Sequence, residues 1–363
     1  AAVLCNGELL GLVPKQHLPN YGEFYERRHF MPAPRENGRL SWEGGAVPFG
    51  PRLLFRCEEL PSFALGVEIC EDLWVPAPPS VRHAMAGATV IANLSASDEV
   101  IGKDEFRRQL VAAQSAKLIA GYVYADAGEG ESTQDIVFSG HNLIAENGTL
   151  LSEAEKFANQ NVYADIDLER IAFERRRMST FTVDTDCSGY TVTEFETVVE
   201  DLDLIRYFDK APFVPSDIAE RNSRCEEILD IQTYGLKKRL EHTKCKSAVI
   251  GISGGLDSTL ALLVTVRAFD LLGLDRSGIT CVTMPCFGTT DRTYQNACLM
   301  SKKLGATLKE VPIADAVHVR FRDIGHDEEV HDVTYENSQA RERTQVLMDI
   351  ANQEWGMVIG TGD

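Results

Sequence analysis

Residues 248–259 read AVIGISGGLDST, and this stretch decides the fold of the second half of the chain. An apolar run ends at Ser253, Gly254 and Gly255, and a helical pattern rich in leucine and valine follows at once. A strand that turns through glycines into a helix presents free backbone N–H groups at the positive end of the helix dipole. The two glycines let this backbone approach an anion closely, so the turn suits a phosphate group.

Asp257 is a carboxylate beside this predicted anion site, and a bridging Mg²⁺ would reconcile the two negative groups. The turn lacks the spacing and the lysine of a Walker A loop. It resembles the pyrophosphate-binding loop of the ATP pyrophosphatases, enzymes that activate a carboxylate or carbonyl as its adenylate. The resemblance implies contacts with ATP at Ile252, Ser253, Gly254, Gly255, Leu256, Asp257, Ser258 and Thr259. The alternative is an ordinary turn in which Asp257 caps the helix.

The composition bounds the class of protein. The chain has 363 residues with 44% hydrophobic and 25% charged side chains, which predicts a globular protein of about two domains. Its net charge of −19 argues against a nucleic-acid partner, and the basic run 175–177 is interpreted as a solvated helix face. No apolar stretch approaches the roughly 20 residues that span a bilayer, so no membrane partner is expected. The nine scattered cysteines and the lack of a signal-peptide pattern predict a cytoplasmic location.

Residues 1–185 alternate short strand patterns with helices and predict a layered α-β-β-α sandwich. A linker is predicted over 186–216, where periodicity is lost, followed by a doubly wound parallel sheet over 217–363. Strands are expected at 3–4, 9–12, 53–55, 64–69, 89–93, 120–124, 142–144, 149–151, 162–166, 248–252, 279–284, 307–311 and 357–359. Helices are expected at 80–86, 103–117, 218–241, 258–272, 292–304, 314–322 and 336–354, the third capped by Ser216 or Asp217.

Two segments of the first half carry candidate chemistry. Residues 15–27 begin KQHLPNYG, and residues 66–74 read GVEICEDLW, in which a strand ends at Cys70. A cysteine at such an elbow exposes its sulfur under backbone N–H groups that lower the thiol pKa and hold an oxyanion. A nearby Lys15 would favour the thiolate. Taken alone, a cysteine that ends a strand is more often a buried core thiol than a nucleophile.

Together these segments resemble the nitrilase-type carbon–nitrogen hydrolases, whose catalytic triad is Glu, Lys and Cys, and in particular the glutaminase domain of the glutamine-dependent NAD⁺ synthetase family. The resemblance implies that Lys15 and Cys70 are catalytic, with Glu26 as a candidate auxiliary carboxylate. It implies that Tyr21, Ser97 and Lys103 bind the substrate glutamine.

The triad Glu of this family lies well upstream of the lysine, before residue 1. We therefore expect the chain to be an internal piece of a longer protein, truncated at both ends, whose glutaminase is impaired. A second family carboxylate, expected to bind substrate and metal, falls beyond Asp363.

Further loops of the second half extend the resemblance. The loop 284–290 resembles the adenine and ribose side of the ATP site, which implies an ATP contact at Met284, and Thr361 matches a further ATP contact. The segment 335–343 resembles one that binds deamido-NAD⁺, which implies contacts at Asn337 and Arg341. The alternative for this segment is a helix start with ordinary ion pairs.

The resemblance to the glutamine-dependent NAD⁺ synthetases implies two reactions: hydrolysis of glutamine, and ATP- and Mg²⁺-dependent amidation of deamido-NAD⁺ through an adenylate. It also implies a homo-oligomer. Two alternatives stay open. One is a nitrilase or amidase fused to a GMP- or asparagine-forming synthetase, and the other is an inactive fragment that only binds ligands.

Overall fold

The computed structural model describes residues 1–131, 136–183, 189–201, 203–287 and 291–361. The chain divides into two compact units, Ala1–Phe208 and Asp209–Asp363. Among the described residues, no helix combines the length and the apolar character needed to cross a membrane.

The first unit contains eleven of the strands described and three of the α-helices. The strands are β1 (Ala2–Cys5), β2 (Glu8–Leu12), β3 (Gly38–Trp42), β4 (Gly45–Phe49), β5 (Leu53–Cys57), β6 (Ala64–Ile69), β7 (Val90–Ser95), β8 (Gly121–Asp126), β9 (Leu143–Glu146), β10 (Thr149–Glu153) and β11 (Thr191–Phe195). The helices are α1 (Pro79–Met85), α2 (Lys103–Leu118) and α3 (Leu168–Arg177). They build one sheet in the order β1-β2-β4-β3 and a larger one in the order β10-β9-β8-β7-β6-β5-β11.

The two sheets face each other across an apolar layer. Leu10 of β2 packs with Leu53 and Phe55 of β5 in this layer. A Cβ at Gly11 would lie 2.9 Å from the Phe55 ring, so the residue type is dictated by the close approach of the sheets. On the other face of the large sheet, α1 and α2 pack over a second core that includes Val111. The layering therefore runs helix, sheet, sheet over this part of the unit.

Three expectations for this unit need correction. Residues 162–166 are irregular rather than a strand, and β11, in the predicted linker, pairs in parallel with β5. Arg175 is buried rather than solvated, because its guanidinium donates to the carbonyls of Ala88, Leu118 and Ile119. Burial lowers the pKa of Arg175 to about 10.

The second unit is a parallel sheet with helices on both faces. Its elements are α4 (Ile218–Thr243), β12 (Ala248–Gly251), α5 (Leu256–Leu272), β13 (Ile279–Thr283), α6 (Asp291–Leu304), β14 (Thr307–Glu310), α7 (Ala314–Ile324), α8 (Val333–Gln353) and β15 (Met357–Ile359). The strand order is β14-β13-β12-β15. Ile250 packs towards α5, whereas Val249 packs towards α7 and α8. This alternation is the doubly wound pattern.

Helix ends in the second unit follow their capping residues. Asp217 accepts a hydrogen bond from the Glu220 N–H at 2.8 Å and caps α4, as the sequence predicts. Helix α8 begins at Val333, three residues before the expected start, because Asp332 accepts from the N–H groups of Thr334 and Tyr335. Segment 335–343 is therefore helical throughout.

Candidate active sites

The first candidate site is built on the turn that follows β6. A 3₁₀-helix over Cys70–Leu73 begins at Cys70, whose φ of 49° lies in the left-handed region that non-glycine residues rarely adopt. Its backbone N–H donates to Asn93 Oδ1 at 3.0 Å. This places a half-buried thiol at the carboxyl end of a central strand, in a backbone conformation that costs free energy and is typical of functional sites.

A buried carboxylate fastens the lysine-bearing loop to this turn. Asp72 is 1% exposed and accepts from the Ile69 N–H at 3.0 Å and from the His17 N–H at 2.8 Å. The Nδ1 atom of His17 lies 2.9 Å from the same carboxylate. Asp72 therefore joins the loop that carries Lys15 to the turn that carries Cys70, and it fixes their relative position.

Lys15, Glu26 and Cys70 line one cavity of about 540 Å³. The Lys15 ammonium donates to both carboxylate oxygens of Glu26, at 2.7 Å each. Ser95 and Ala96, at the end of β7, line the same cavity. The structure thus brings both catalytic candidates and the auxiliary carboxylate together in a space large enough for an amino-acid side chain.

The electrostatics of this cavity act on the thiol in opposite directions. Burial raises the pKa of Cys70, and Lys15 is the largest influence that lowers it. The Ala96 N–H and the Ser95 hydroxyl also lower this pKa, while the Glu26 carboxylate raises it. Because burial prevails, the thiol keeps its proton at neutral pH, and nucleophilic attack requires a base to remove it.

The three predicted glutamine-binding residues do not line the Cys70 cavity. Tyr21 lines a separate cavity of about 390 Å³ together with Glu71, and its hydroxyl donates to Glu71 Oε1 at 2.8 Å. Burial, and next the hydrogen bond to Glu71, raise the pKa of Tyr21 to about 12. The structure therefore brings Tyr21 to the turn that begins at Cys70, and the Cys70 thiol also contributes to the raised pKa of Tyr21.

Ser97 and Lys103 lie beyond the end of β7. Ser97 is 2% exposed, its N–H donates to Asp126 Oδ1 at 2.9 Å, and its hydroxyl oxygen accepts from the Arg107 guanidinium at 3.4 Å. Lys103 forms an ion pair with Asp98, and its ammonium lies 5.3 Å from the centre of the Trp74 ring. Both side chains therefore have protein partners in this conformation.

The second candidate site is the turn between β12 and α5. Ser253 Oγ accepts from the Gly255 N–H at 3.2 Å, and the Thr259 hydroxyl donates to the Gly255 carbonyl at 2.7 Å. Ser258 Oγ lies 3.1 Å from Ser253 Oγ. Gly254 has a φ of 79°, and a Cβ there would lie 2.1 Å from the Thr293 carbonyl oxygen. Only glycine fits this position, because of the left-handed backbone and the close approach of the Thr293 carbonyl.

A cavity of about 680 Å³ opens beside this turn. Of the predicted ATP contacts, Ile252, Ser253, Gly255 and Met284 line it. Leu256 and Asp257 are exposed at the start of α5, whereas Thr361 is exposed in the irregular segment after β15 and does not line the cavity. Residues 288–290 of the predicted adenine loop lie outside the described residues.

The face of helix α8 that lines this cavity does not carry the two residues predicted to contact deamido-NAD⁺. Asn337 and Arg341 are exposed and do not line it. Glu336, Gln339 and Arg343 do, and their spacing of three and four places them on one helix face. These three residues were not predicted from the sequence, although the same spacing, continued to Leu347, could have revealed them. Glu71, Asp72 and Asn93 were not predicted either, because the partners that make them important are distant in sequence.

The residues present fit a magnesium ion held jointly with a nucleotide. Among the described residues, no group of three or more His, Cys, Asp or Glu side chains could hold a metal. Mg²⁺ in nucleotide sites needs only one or two protein carboxylates, because substrate phosphates and water supply the other ligands. The exposed Asp257 on the first turn of α5 meets this requirement.

Comparison with known proteins first defines the class. Residues 3–176 match the carbon–nitrogen hydrolase family and residues 228–363 match the NAD synthase family. The first unit is therefore nitrilase-like, and the parallel-sheet unit matches the NAD synthase family, which confirms the predicted α/β fold class.

The particular relatives are glutamine-dependent NAD(+) synthetases, to which this chain is similar over its whole length. It is 44% identical to the enzyme of Mycobacterium tuberculosis H37Rv over 376 aligned positions, covering 100% of this chain and 55% of the relative. Identity to the Thermotoga maritima enzyme is 29%, covering 100% and 58%. A solved structure of the Acinetobacter baumannii enzyme with ADP matches 100% of this chain and 56% of its own, with 23% identity and a TM-score of 0.36. The chain spans about half the length of the curated relatives it matches.

Proposed function

We propose that this chain carries the glutaminase and ATP-binding parts of a glutamine-dependent NAD⁺ synthetase. The observation that carries the proposal is the shared cavity of Cys70 and Lys15, on a chain that also contains the Ser253 turn beside a second cavity. The homology to enzymes of that name supports it.

The first cavity suits amide hydrolysis. The Cys70 thiolate attacks the side-chain carbonyl carbon of glutamine, and the ammonium of Lys15 stabilises the oxyanion that forms. N–H groups in the first turn of the 3₁₀-helix have no intrahelical partners and add to this stabilisation. Collapse of the intermediate releases ammonia and leaves a thioester, which water hydrolyses to glutamate. We further propose that Tyr21, Ser97 and Lys103 hold the glutamine.

The described residues that line this cavity do not offer a free base to deprotonate Cys70. Glu26 is the one carboxylate among the described residues that line it, and both its oxygens accept from Lys15. Since burial raises the pKa of Cys70, the thiol is protonated and lacks a free base nearby. We therefore expect residues 1–363 by themselves to release glutamate slowly.

The second cavity suits activation by ATP. The carboxylate of deamido-NAD⁺ attacks the α-phosphorus of ATP, pyrophosphate leaves, and ammonia then displaces AMP to give NAD⁺. The backbone and hydroxyls of 252–259 would hold the pyrophosphate, and Met284 and Thr361 would contact ATP. Asp257 would ligate Mg²⁺, which neutralises phosphate charge when bound. Asn337 and Arg341 would contact deamido-NAD⁺ on the exposed face of α8.

We also propose a location and an oligomeric state for the protein. The eight cysteines of the described residues are free, which suits a reducing cytoplasm. Large apolar side chains of the first unit are exposed near its end, among them Val198, Leu204 and Tyr207, and such surfaces are typical of subunit contacts. We therefore expect a cytoplasmic homo-oligomer, which light scattering of the purified protein would test.

An amidation assay distinguishes the proposal from its alternatives. The native-length protein is incubated with ATP, Mg²⁺ and ammonia or glutamine, and deamido-NAD⁺, XMP and aspartate are compared as acceptors. We expect amidation of deamido-NAD⁺ alone, with release of AMP and pyrophosphate. Amidation of XMP or aspartate instead, or no amidation at all, would reject the proposed function.

A further inference from the structure

A row of buried polar side chains crosses three neighbouring strands below the Cys70 turn. Glu68 of β6 and Asn93 of β7 are each 1% exposed, and Tyr122 of β8 is fully buried. Glu68 and Asn93 are directly paired in the parallel register. Polar groups this deep require hydrogen-bond partners, so their connections determine what the row does.

The hydrogen bonds of the row run in one direction. Asn93 Nδ2 donates to the Tyr122 hydroxyl at 3.2 Å, and the Tyr122 hydroxyl donates to the Glu68 carboxylate. The other Glu68 oxygen accepts from the Ser80 N–H at 2.8 Å. Because Tyr122 has a single proton, these bonds fix which end of the Asn93 amide faces Tyr122 and turn its carbonyl oxygen towards β6.

That carbonyl oxygen meets the nucleophile turn. Asn93 Oδ1 accepts from the backbone N–H of Cys70 at 3.0 Å and from the Ser95 hydroxyl at 2.7 Å. A backbone N–H is only a donor, so the opposite amide orientation would set donor against donor. The hydrogen bond from the Cys70 N–H restrains the backbone nitrogen of the residue that adopts the left-handed conformation. Ser95, the second donor, lines the Cys70 cavity. The row therefore ends on the residue whose conformation aims the sulfur.

We propose that Asn93 is a positioning residue for the Cys70 nucleophile, and that Tyr122 and Glu68 hold its amide in the required orientation. The inference rests on the proposed glutaminase function. Asn93 does not touch the substrate carbonyl; it restrains the left-handed turn that directs the thiol towards Lys15. Because Asn93 accepts the Cys70 N–H, this donor is not available to the oxyanion, which is stabilised instead by Lys15 and by later N–H groups of the 3₁₀-helix.

The test compares variants of the native-length protein. In Asn93→Ala we expect kcat for glutamine to fall about 30-fold with KM within about threefold, because misplacing a reacting group by a fraction of an ångström slows the chemical step. Ammonia-dependent amidation should stay unchanged. Tyr122→Phe keeps the Asn93 amide but removes the hydroxyl that orients it, so we expect a smaller fall in kcat for glutamine, of roughly 3–10-fold.

Asn37→Ala is the matched control. The Asn37 amide also bridges backbone groups, accepting from the Arg52 N–H at 3.0 Å and donating to the Arg52 carbonyl at 2.8 Å. It lies outside the Cys70 cavity. A folded Asn93→Ala with the same kcat as Asn37→Ala would overturn the proposal. If Asn93→Ala does not fold, Tyr122→Phe decides, and an unchanged kcat for that variant overturns it.

Reversing the direction of the hydrogen bonds among Glu68, Tyr122 and Asn93 should restore the activity that Asn93→Asp loses. In the double variant Glu68→Gln with Asn93→Asp, the amide introduced on β6 would donate to Tyr122, and Tyr122 would donate to the new carboxylate on β7, which still accepts the Cys70 N–H. We expect Asn93→Asp alone to lose activity, because it places two carboxylates side by side, and the double variant to recover most of it. A double variant no more active than Asn93→Asp would contradict the proposal.

Labelling separates this inference from the glutaminase assignment. If wild-type protein releases no glutamate from glutamine, the proposed function fails. The rate at which iodoacetamide alkylates Cys70, followed by mass spectrometry, still tests the row. We expect alkylation about fivefold slower in Asn93→Ala and unchanged in Asn37→Ala, because the relaxed turn withdraws the sulfur from Lys15. Equal rates in both variants would overturn the inference.

Discussion

Replacing Asp72 with alanine tests how the first site is assembled. The carboxylate is 1% exposed and accepts from the backbone N–H groups of Ile69 and His17 and from the His17 ring. Removing it leaves these two backbone donors without their acceptor, at about 1–3 kcal/mol each, and also removes the ring contact and a longer bond of 3.4 Å from the Gln16 N–H. We therefore expect the free energy of unfolding of this unit to fall by roughly 3–5 kcal/mol.

Urea unfolding followed by tryptophan fluorescence measures this loss. With a slope of about 2 kcal/mol per molar urea, the midpoint of the first unit should fall by roughly 2 M. Glutamine turnover should also fall in the folded fraction, because the lysine loop is no longer fastened to the Cys70 turn. The control is His17→Ala, which removes only a ring that is 43% exposed and should cost less than about 1 kcal/mol. Equal urea midpoints for Asp72→Ala and for the control would refute the conclusion that Asp72 joins the Lys15 loop to the Cys70 turn.

Three further predictions follow from single residues. Cys70→Ala should abolish glutamine-dependent amidation and retain ammonia-dependent amidation; loss of both would contradict separate sites. Gly254→Ala should destabilise the second unit by at least about 2 kcal/mol and weaken ATP binding, since it combines a φ of 79° with a Cβ 2.1 Å from the Thr293 oxygen. The helical Gly235→Ala, with open space around it, should instead be slightly stabilising, and equal effects would exclude the steric argument. Burial raises the pKa of Asp126 to about 6, so its favourable contribution is complete below pH 4 and is lost as the pH rises through 6. Between pH 4 and 7 the stability of Asp126→Asn should therefore rise relative to wild type by about 1–3 kcal/mol, and parallel pH profiles in thermal unfolding would contradict this.

Local patterns explain what the sequence could predict. The turn at 147–148 carries φ values of 44° at Asn147 and 87° at Gly148, the left-handed pair that an Asn-Gly hairpin requires. The strands and helices around Ser253 follow apolar periodicities that need no distant information. Lys15 and Cys70 could be predicted for the same reason, because the residues next to each of them in sequence form a recognisable motif.

Long-range contacts explain what the sequence could not predict. The strand β11 is half-exposed and lies in an acidic stretch, and its pairing with β5 has no local signature. The burial of Arg175 depends on carbonyl groups at the ends of other elements. Asn93 is an ordinary polar residue in its own strand, and its importance appears only when β6 and β8 are placed beside it.

Under the proposed function, one chain frees ammonia from glutamine and supplies it to deamido-NAD⁺. Native-length protein is given glutamine labelled with ¹⁵N in its side-chain amide, together with ATP, Mg²⁺ and deamido-NAD⁺, and the NAD⁺ is analysed by mass spectrometry. We expect ¹⁵N in the product carboxamide with wild-type protein and none with Cys70→Ala. NAD⁺ that stays unlabelled with wild-type protein, or label that persists without Cys70, would contradict it.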